Sequence, residues 1–133
     1  MEQQATFAAG DFHAAEAAFR KVHGILRTRV GYVGEAQLQA VQLLFESDLV
    51  SYRELLKHFR QMCDGIAPAE ICVFAHSPEQ EAEAGALVLS GSDEPVQVLP
   101  VSGFRDADED DQCYVAKQAL ARRLQREEPD HGN

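Results

Sequence analysis

Asp11 and His13 stand two positions apart in the segment Gly10-Asp11-Phe12-His13. A carboxylate and an imidazole at that spacing could act as an acid/base pair or supply two ligands to a metal ion. Asp is also a preferred helix N-cap, whose carboxylate accepts from the first free backbone amides, and that role accounts for Asp11 by itself. No third ligand is evident beside the two, so no metal site and no cofactor are assigned. The cysteines, Cys63, Cys72 and Cys113, are odd in number and form no CxxC pair, which makes them free thiols rather than a zinc or dithiol centre. Cys72 falls in an apolar run and Cys113 in a C-terminal helical stretch. Cys63 falls at a helix C-terminus, whose negative dipole end raises a thiol pKa. The acidic run from Asp106 to Asp111 has the look of a calcium loop, but its sixth position is Asp111 rather than Gly and its twelfth is Lys117 rather than Glu. His23, His58, His76 and His131 are scattered and read as surface residues.

These side chains must be held by secondary structure. Ala5 to Ala9 is a short apolar strand, Gly10 and Asp11 a turn, and Phe12, Ala15, Phe19 and Val22 one helical stripe, with Gly24 as the left-handed stop. Leu26, Thr28, Val30 and Tyr32 alternate with Arg27 and Arg29, which predicts a strand with one wet face. Val41, Leu43 and Phe45 predict another, closed by Glu46-Ser47-Asp48. Ser51 caps a helix whose stripe is Tyr52, Leu55, Leu56, Phe59 and Met62. Ile71 to Ala75 suits a strand buried on both faces. The order βαββαβ points to an α+β fold, a ferredoxin-like split βαβ sandwich with two helices on one face of an antiparallel sheet. An added helix-strand-helix follows. Its first helix opens at Ser77-Pro78-Glu79-Gln80 and runs to about Leu89, closed by Gly91, Asp93 and Pro95. Its strand holds Val96, Val98 and Val101, broken by Pro100. Its closing helix spans Asp110 to Arg126, with Cys113, Lys117, Leu120 and Leu124 in line. Residues 1–126 read as a single domain, and 127–133 as a disordered tail.

Composition narrows the function. Among 133 residues, 12 Lys and Arg face 22 Asp and Glu, a formal charge of −10, so a phosphate backbone would meet a repulsive field and nucleic acid is not an expected partner. An RNA-recognition module of this fold would also need stacked aromatics and a basic face, and a heavy-metal carrier a cysteine pair in the first loop. No apolar run approaches the ~20 residues of a membrane span, and the start MEQQATF lacks a basic-then-apolar signal, so a cytoplasmic protein is expected.

The stretch ATFAAGDFHAAEAAFRKVHGILRTRVGYVG resembles the opening of the peptide methionine sulfoxide reductase A family, with its GCFWxxE segment, helix and GYSGG-like turn. The resemblance continues in AVQLLFESDLVSYRELLKHF, similar to AVxVxYDPxxISYxxLLxxF, and in AHSPEQ and VLPVSGF, and so covers about residues 5 to 115 in order. In that family a cysteine at the first helix N-terminus, acidified by the helix dipole, attacks the sulfoxide sulfur and is regenerated by a thiol. Asp11 occupies that position here.

A carboxylate has no sulfenic acid stage through which a thiol could return electrons, so the resemblance implies no catalytic residue and no expected sulfoxide reductase activity. Of the Phe-Trp pair that receives the substrate methyl group, Phe12 is kept and His13 replaces tryptophan. The proton donor of the GHAEAV segment becomes Gln39, an amide that cannot deliver the proton. The NPTY-bearing segment is missing between Gly34 and Glu35, and the QGxDxGxQYRS stretch between Asp64 and Glu70. The histidine of a PAEDYHQDY-like segment is Asp111. What the resemblance leaves is a remnant pocket of Asp11, Phe12, His13 and Gln39, in a non-catalytic binding or regulatory domain whose partner is a protein or peptide. The alternative is an enzyme with new chemistry on Asp11 and His13.

Overall fold

The structure, a computed structural model, describes residues 1–87 and 95–127. Six strands form one sheet in the order β5-β4-β1-β3-β2-β6, and the class is α+β. β1 (Glu2–Ala9) lies between β3 (Leu38–Glu46) and β4 (Ile71–Ala75), antiparallel to both. β2 (Ile25–Val33) pairs antiparallel with β3. At the margins β5 (Val98–Pro100) runs parallel to β4, and β6 (Arg105–Asp106) antiparallel to β2.

Alternation along β1 sends Ala5, Phe7 and Ala9 to one face and Thr6 and Ala8 to the other. On the first face pack α1 (Phe12–Arg20) and α2 (Tyr52–Met62), and Phe7, with no exposed surface, stacks on Phe19 at 5.3 Å and on Phe59 at 4.9 Å. Burying a ring of this size stabilises by about 3 kcal/mol, so Phe7 joins the two helices to the central strand. On the second face Ala8, Val33, Ala40, Cys72 and Phe74 form a smaller cluster, covered by Val101 and Phe104. β4 is buried throughout, as its uninterrupted apolar run predicts. Among the described residues no helix is long and apolar enough to cross a membrane.

Several boundaries differ from those the periodicity suggests. α1 ends at Arg20 with Lys21 as its C-cap in right-handed geometry, so Gly24 is not the helix stop. Its φ of +102° instead serves the entry to β2, where a Cβ would approach Val50 Cγ1 to 2.7 Å. A register shift between Ile25 and Arg27 breaks the expected alternation of β2. Ile25 therefore packs on the core while Leu26 turns out to solvent, 49% exposed.

After β4, α3 (Pro78–Gly85) is capped by Ser77 as expected, but it ends at Gly85 rather than near Leu89. Leu89, Gly91 and Asp93 lie outside the described residues. Pro100 ends β5 at a sheet margin, where its missing N–H leaves no ladder bond unmade. β6 has no counterpart in the sequence reading, because two residues carry no period. The last helix, α4 (Tyr114–Glu127), starts four residues later than Asp110. Glu109–Asp111 form a 3-10 turn, and Cys113 at φ +52° breaks the helical path before α4 begins. Cys113 is thus ahead of the helix rather than within it. The tail from 128 onward lies outside the described residues.

Candidate functional site

The chain leaves β1 through Gly10, whose φ of +72° turns it into α1, and the Gly10 N–H donates to Glu70 O at 3.3 Å. Asp11 is the N-cap of α1, and its Oδ1 accepts from the His13 N–H at 2.9 Å. One residue on, the Phe12 N–H donates to Gln39 Oε1 of β3 at 3.1 Å. Two of the orphan amides at this helix start are therefore satisfied by side chains, one local and one from across the sheet. The Phe12 ring is buried and lies 5.6 Å from the Tyr32 ring, on whose face the Arg105 guanidinium rests at 5.1 Å.

These residues meet at the helix start but do not share one pocket. A cavity of about 340 Å³ is lined by Asp11 and Gln39 with Gly10, Gln37, Leu38 and Glu70. Phe12 and His13 turn away from it. The His13 ring stacks on Tyr114 at 4.1 Å, and its Nε2 is 3.0 Å from Asp111 Oδ1. Its Nδ1 is 3.8 Å from Asp11 Oδ1, too far for a hydrogen bond, so the imidazole pairs with Asp111 and not with Asp11. Among the described residues no three His, Cys, Asp or Glu side chains converge as a metal site.

One turn along α1 is a cluster that the sequence reading passed over. Glu16 is 1% exposed; its Oε2 accepts from Thr28 Oγ1 at 2.7 Å and its Oε1 from the Cys113 N–H at 2.7 Å. The Arg20 Nη1 lies 3.1 Å from Cys113 Sγ. The signal was present in the helical spacing. Glu16 is four residues after Phe12 and three before Phe19, on the buried stripe, where an acid must find partners. The other two thiols are buried, and burial pushes both Cys63 and Cys72 up to about 11.

Two short connections border the cap. β2 and β3 are joined by the turn 34–37, with Gly34 at φ +75°, Gln37 at φ +53°, and the Gln37 N–H donating to Gly34 O at 3.2 Å. Between α2 and β4 the chain crosses through Gly65 and Ile66, and Ile66 packs beneath Gly10, where a Cβ would meet its Cδ1 at 3.3 Å. Both joins fall where the resemblance read from the sequence implies missing segments.

No protein-family model matches the chain. The peptide methionine sulfoxide reductase MsrA of Methanosarcina mazei is 33% identical over 154 aligned positions, covering 92% of this chain and 73% of the relative. Since 92% of 133 residues is about 122, about 32 of those positions fall opposite gaps in this chain, in keeping with its short connections. The MsrA of Methanoculleus marisnigri is 33% identical, covering 86% of this chain and 90% of the relative. Among solved structures, an oxidized form of Mxr1 from Saccharomyces cerevisiae superimposes with a TM-score of 0.68 at 22% identity, covering 87% of this chain and 81% of that one. Mxr1 in complex with Trx2 does so at 0.53 and 23%, covering 85% and 84%. The ordered run of shared segments, the identity along most of the chain and the shared fold agree: this chain belongs to the peptide methionine sulfoxide reductase A family.

Proposed function

We propose that this chain is a family member without sulfoxide reductase chemistry at the α1 cap, and that it works as a binding or regulatory domain for a protein or peptide. The observation that carries this is Asp11, which stands where the resemblance puts the nucleophilic cysteine and spends its carboxylate on the backbone of α1. A carboxylate there can hold the helix start, but it cannot pass through a sulfenic acid that a thiol reduces. Gln39 supports the same reading, since its amide oxygen accepts from Phe12 N–H and its amide has no acidic proton to deliver to a leaving oxygen.

A role in protein binding draws on the exposed face of α4. Val115, Leu120 and Leu124 of α4 are 42%, 47% and 55% exposed, apolar area of the kind that marks interaction surfaces. A family relative that forms a complex with Trx2 makes a protein partner reasonable for this chain as well. The core we read as a ferredoxin-like split βαβ within one domain, a reading supported by the strand order β4-β1-β3-β2. The free thiols suit a reducing compartment such as the cytoplasm.

The competing use of Asp11 and His13 as a chemical pair would need them to share a proton, and the 3.8 Å gap with His13 turned to Asp111 does not favour it. The test is the reduction of methionine-S-sulfoxide by the pure protein with dithiothreitol, beside the Cys113→Ser and Cys63→Ser variants. No turnover above the thiol blank is expected. Turnover that disappears in either variant would overturn the proposal by showing that another cysteine has taken over the nucleophile's work.

A further inference from the structure

α4 is tied to the rest of the chain only at its foot. There Tyr114 stacks on His13 and the Cys113 N–H donates to Glu16, but every residue from Tyr114 to Gln125 is exposed. Of the eight large apolar side chains exposed among the described residues, four stand on this one helix: Tyr114, Val115, Leu120 and Leu124. A helix of 14 residues is marginal in water by itself, and in proteins it draws its stability from burying one face. From Tyr114 to Gln125, α4 buries none within the chain.

The spacing of its residues points to what covers it. Positions 117, 120, 124 and 127 follow one another at intervals of three, four and three, which puts them on one stripe of the helix. The stripe reads Lys, Leu, Leu, Glu, with a base at one end and an acid at the other. Such a stripe is its own complement when reversed. Two copies packed antiparallel about position 122 set Leu120 against Leu124 of the second copy and position 117 against position 127, and the two-fold axis repeats each match. Arg123, beside the stripe, falls opposite Ala121 and meets no like charge.

Net charge selects the same orientation. α4 holds Lys117, Arg122, Arg123 and Arg126 against Glu127, a sum of +3 in a chain of −10, so the remainder carries −13. Two such bodies repel. From Cys113 to the midpoint at 122 is about 13.5 Å of helical rise, so antiparallel pairing puts the two attachment points about 27 Å apart, well beyond a screening length of about 8 Å. Parallel pairing would bring the bodies side by side and set 117 against 117.

We infer that α4 is a dimerisation element, pairing antiparallel with α4 of a second copy of this chain through Leu120 and Leu124. This rests on the reading of α4 as a protein-binding face and names the protein. It does not depend on the chemistry of the α1 cap.

The experiment is sedimentation equilibrium of the full chain from about 10 μM to about 1 mM, because a seam this short buries less than about 1,200 Å² and belongs to the weak class of interfaces. The mean mass should climb from that of one chain toward that of two, with the midpoint near about 100 μM. Leu120→Gln with Leu124→Gln should remain monomeric throughout. That variant should keep the parent's Tm at about 5 μM, where both are monomers and the two leucines are exposed. Lys117→Glu and Glu127→Lys should each weaken the dimer about tenfold, and the two together should restore it to within about threefold, as only antiparallel pairing allows. The inference is overturned if the parent is monomeric at about 1 mM, if the double glutamine variant dimerises as the parent does, or if the double charge exchange fails to restore what the single changes lose. A monomeric parent would leave the α4 face to a different protein, whereas sulfoxide turnover would overturn the reading of the cap and leave the dimer in place.

Discussion

Replacing Gln112 by alanine should lower the melting temperature by about 10 °C, although Gln112 belongs to no helix or strand. Gln112 is 3% exposed and acts as a missing piece of sheet margin beside β2. Its Oε1 accepts from the Val30 N–H at 2.8 Å, and its Nε2 donates to Val30 O at 2.8 Å and to Ala107 O at 3.1 Å. After truncation Val30 O keeps the Ala107 N–H, which donates to it at 2.9 Å. The Val30 N–H loses its partner in a buried setting, and Ala107 O loses a donor. At about 1–3 kcal/mol for an unpaired buried group and about 1 kcal/mol for the second bond, the sum is about 3 kcal/mol. For a chain of this size each kcal/mol is worth about 3–5 °C.

Circular dichroism melts and urea titration measure the loss, and hydrogen exchange at the Val30 amide locates it. Gln112→Glu extends the test. Its carboxylate still accepts from Val30 N–H but faces two carbonyl oxygens, so it should destabilise at neutral pH and recover partly in acid, where a protonated carboxyl can donate. A Gln112→Ala variant within about 0.5 kcal/mol of the parent, with Val30 protection unchanged, would refute the assignment of this amide as a strand substitute.

Asp11→Ala should destabilise by about 1 kcal/mol through loss of the cap, whereas Asp11→Asn should fall within a few tenths of the parent; equal losses in a melt would show that the charge matters and not the cap. Alkylation followed by mass spectrometry should label Cys113, which is only partly buried, well before Cys63 and Cys72, whose burial and pKa of about 11 keep them closed and protonated at neutral pH. Gly31→Ala should cost about 2 kcal/mol and release β6, because the new Cβ would overlap Arg105 O and approach Phe104 Cζ to 2.8 Å; a melt unchanged from the parent would count against that fit. His76 is held below its usual 6.5 by burial, so the unfolded chain binds its proton first, and stability present above pH 6.5 is lost as pH falls toward the folded value. Melts from pH 7.5 to 5 should show this decline, and His76→Gln should flatten it.

Regular elements were legible because their signals are local. The stripe Tyr52, Leu55, Leu56, Phe59 identifies α2, Ser51 announces its cap, and the apolar run at 71–75 identifies β4, each from residues within a few positions of one another. The family was legible for a different reason, an ordered series of matching segments along most of the chain. Misreadings came where a local pattern met a tertiary demand. Leu26 fits the alternation of β2 but is turned outward by the bulge, Gly24 looks like a helix stop but serves close packing against Val50, and the helical period across Asp110–Cys113 gives way to the left-handed backbone at Cys113.

At the candidate site the division is sharper. Asp11 as the cap of α1 follows from sequence, since an Asp before an apolar stripe has one nearby set of free amides to accept from. The partner of His13 does not, because Asp111 is 98 residues away and nothing periodic connects them. The same holds for Glu16 with Thr28 and Cys113, and for Gln112 with Val30. Local periodicity tells the chain which face of each element to bury, and so the sequence by itself determines the longer elements, most of the core and the family. A buried polar group must be matched by whatever the folded chain brings within about 3 Å, and that choice belongs to the tertiary structure.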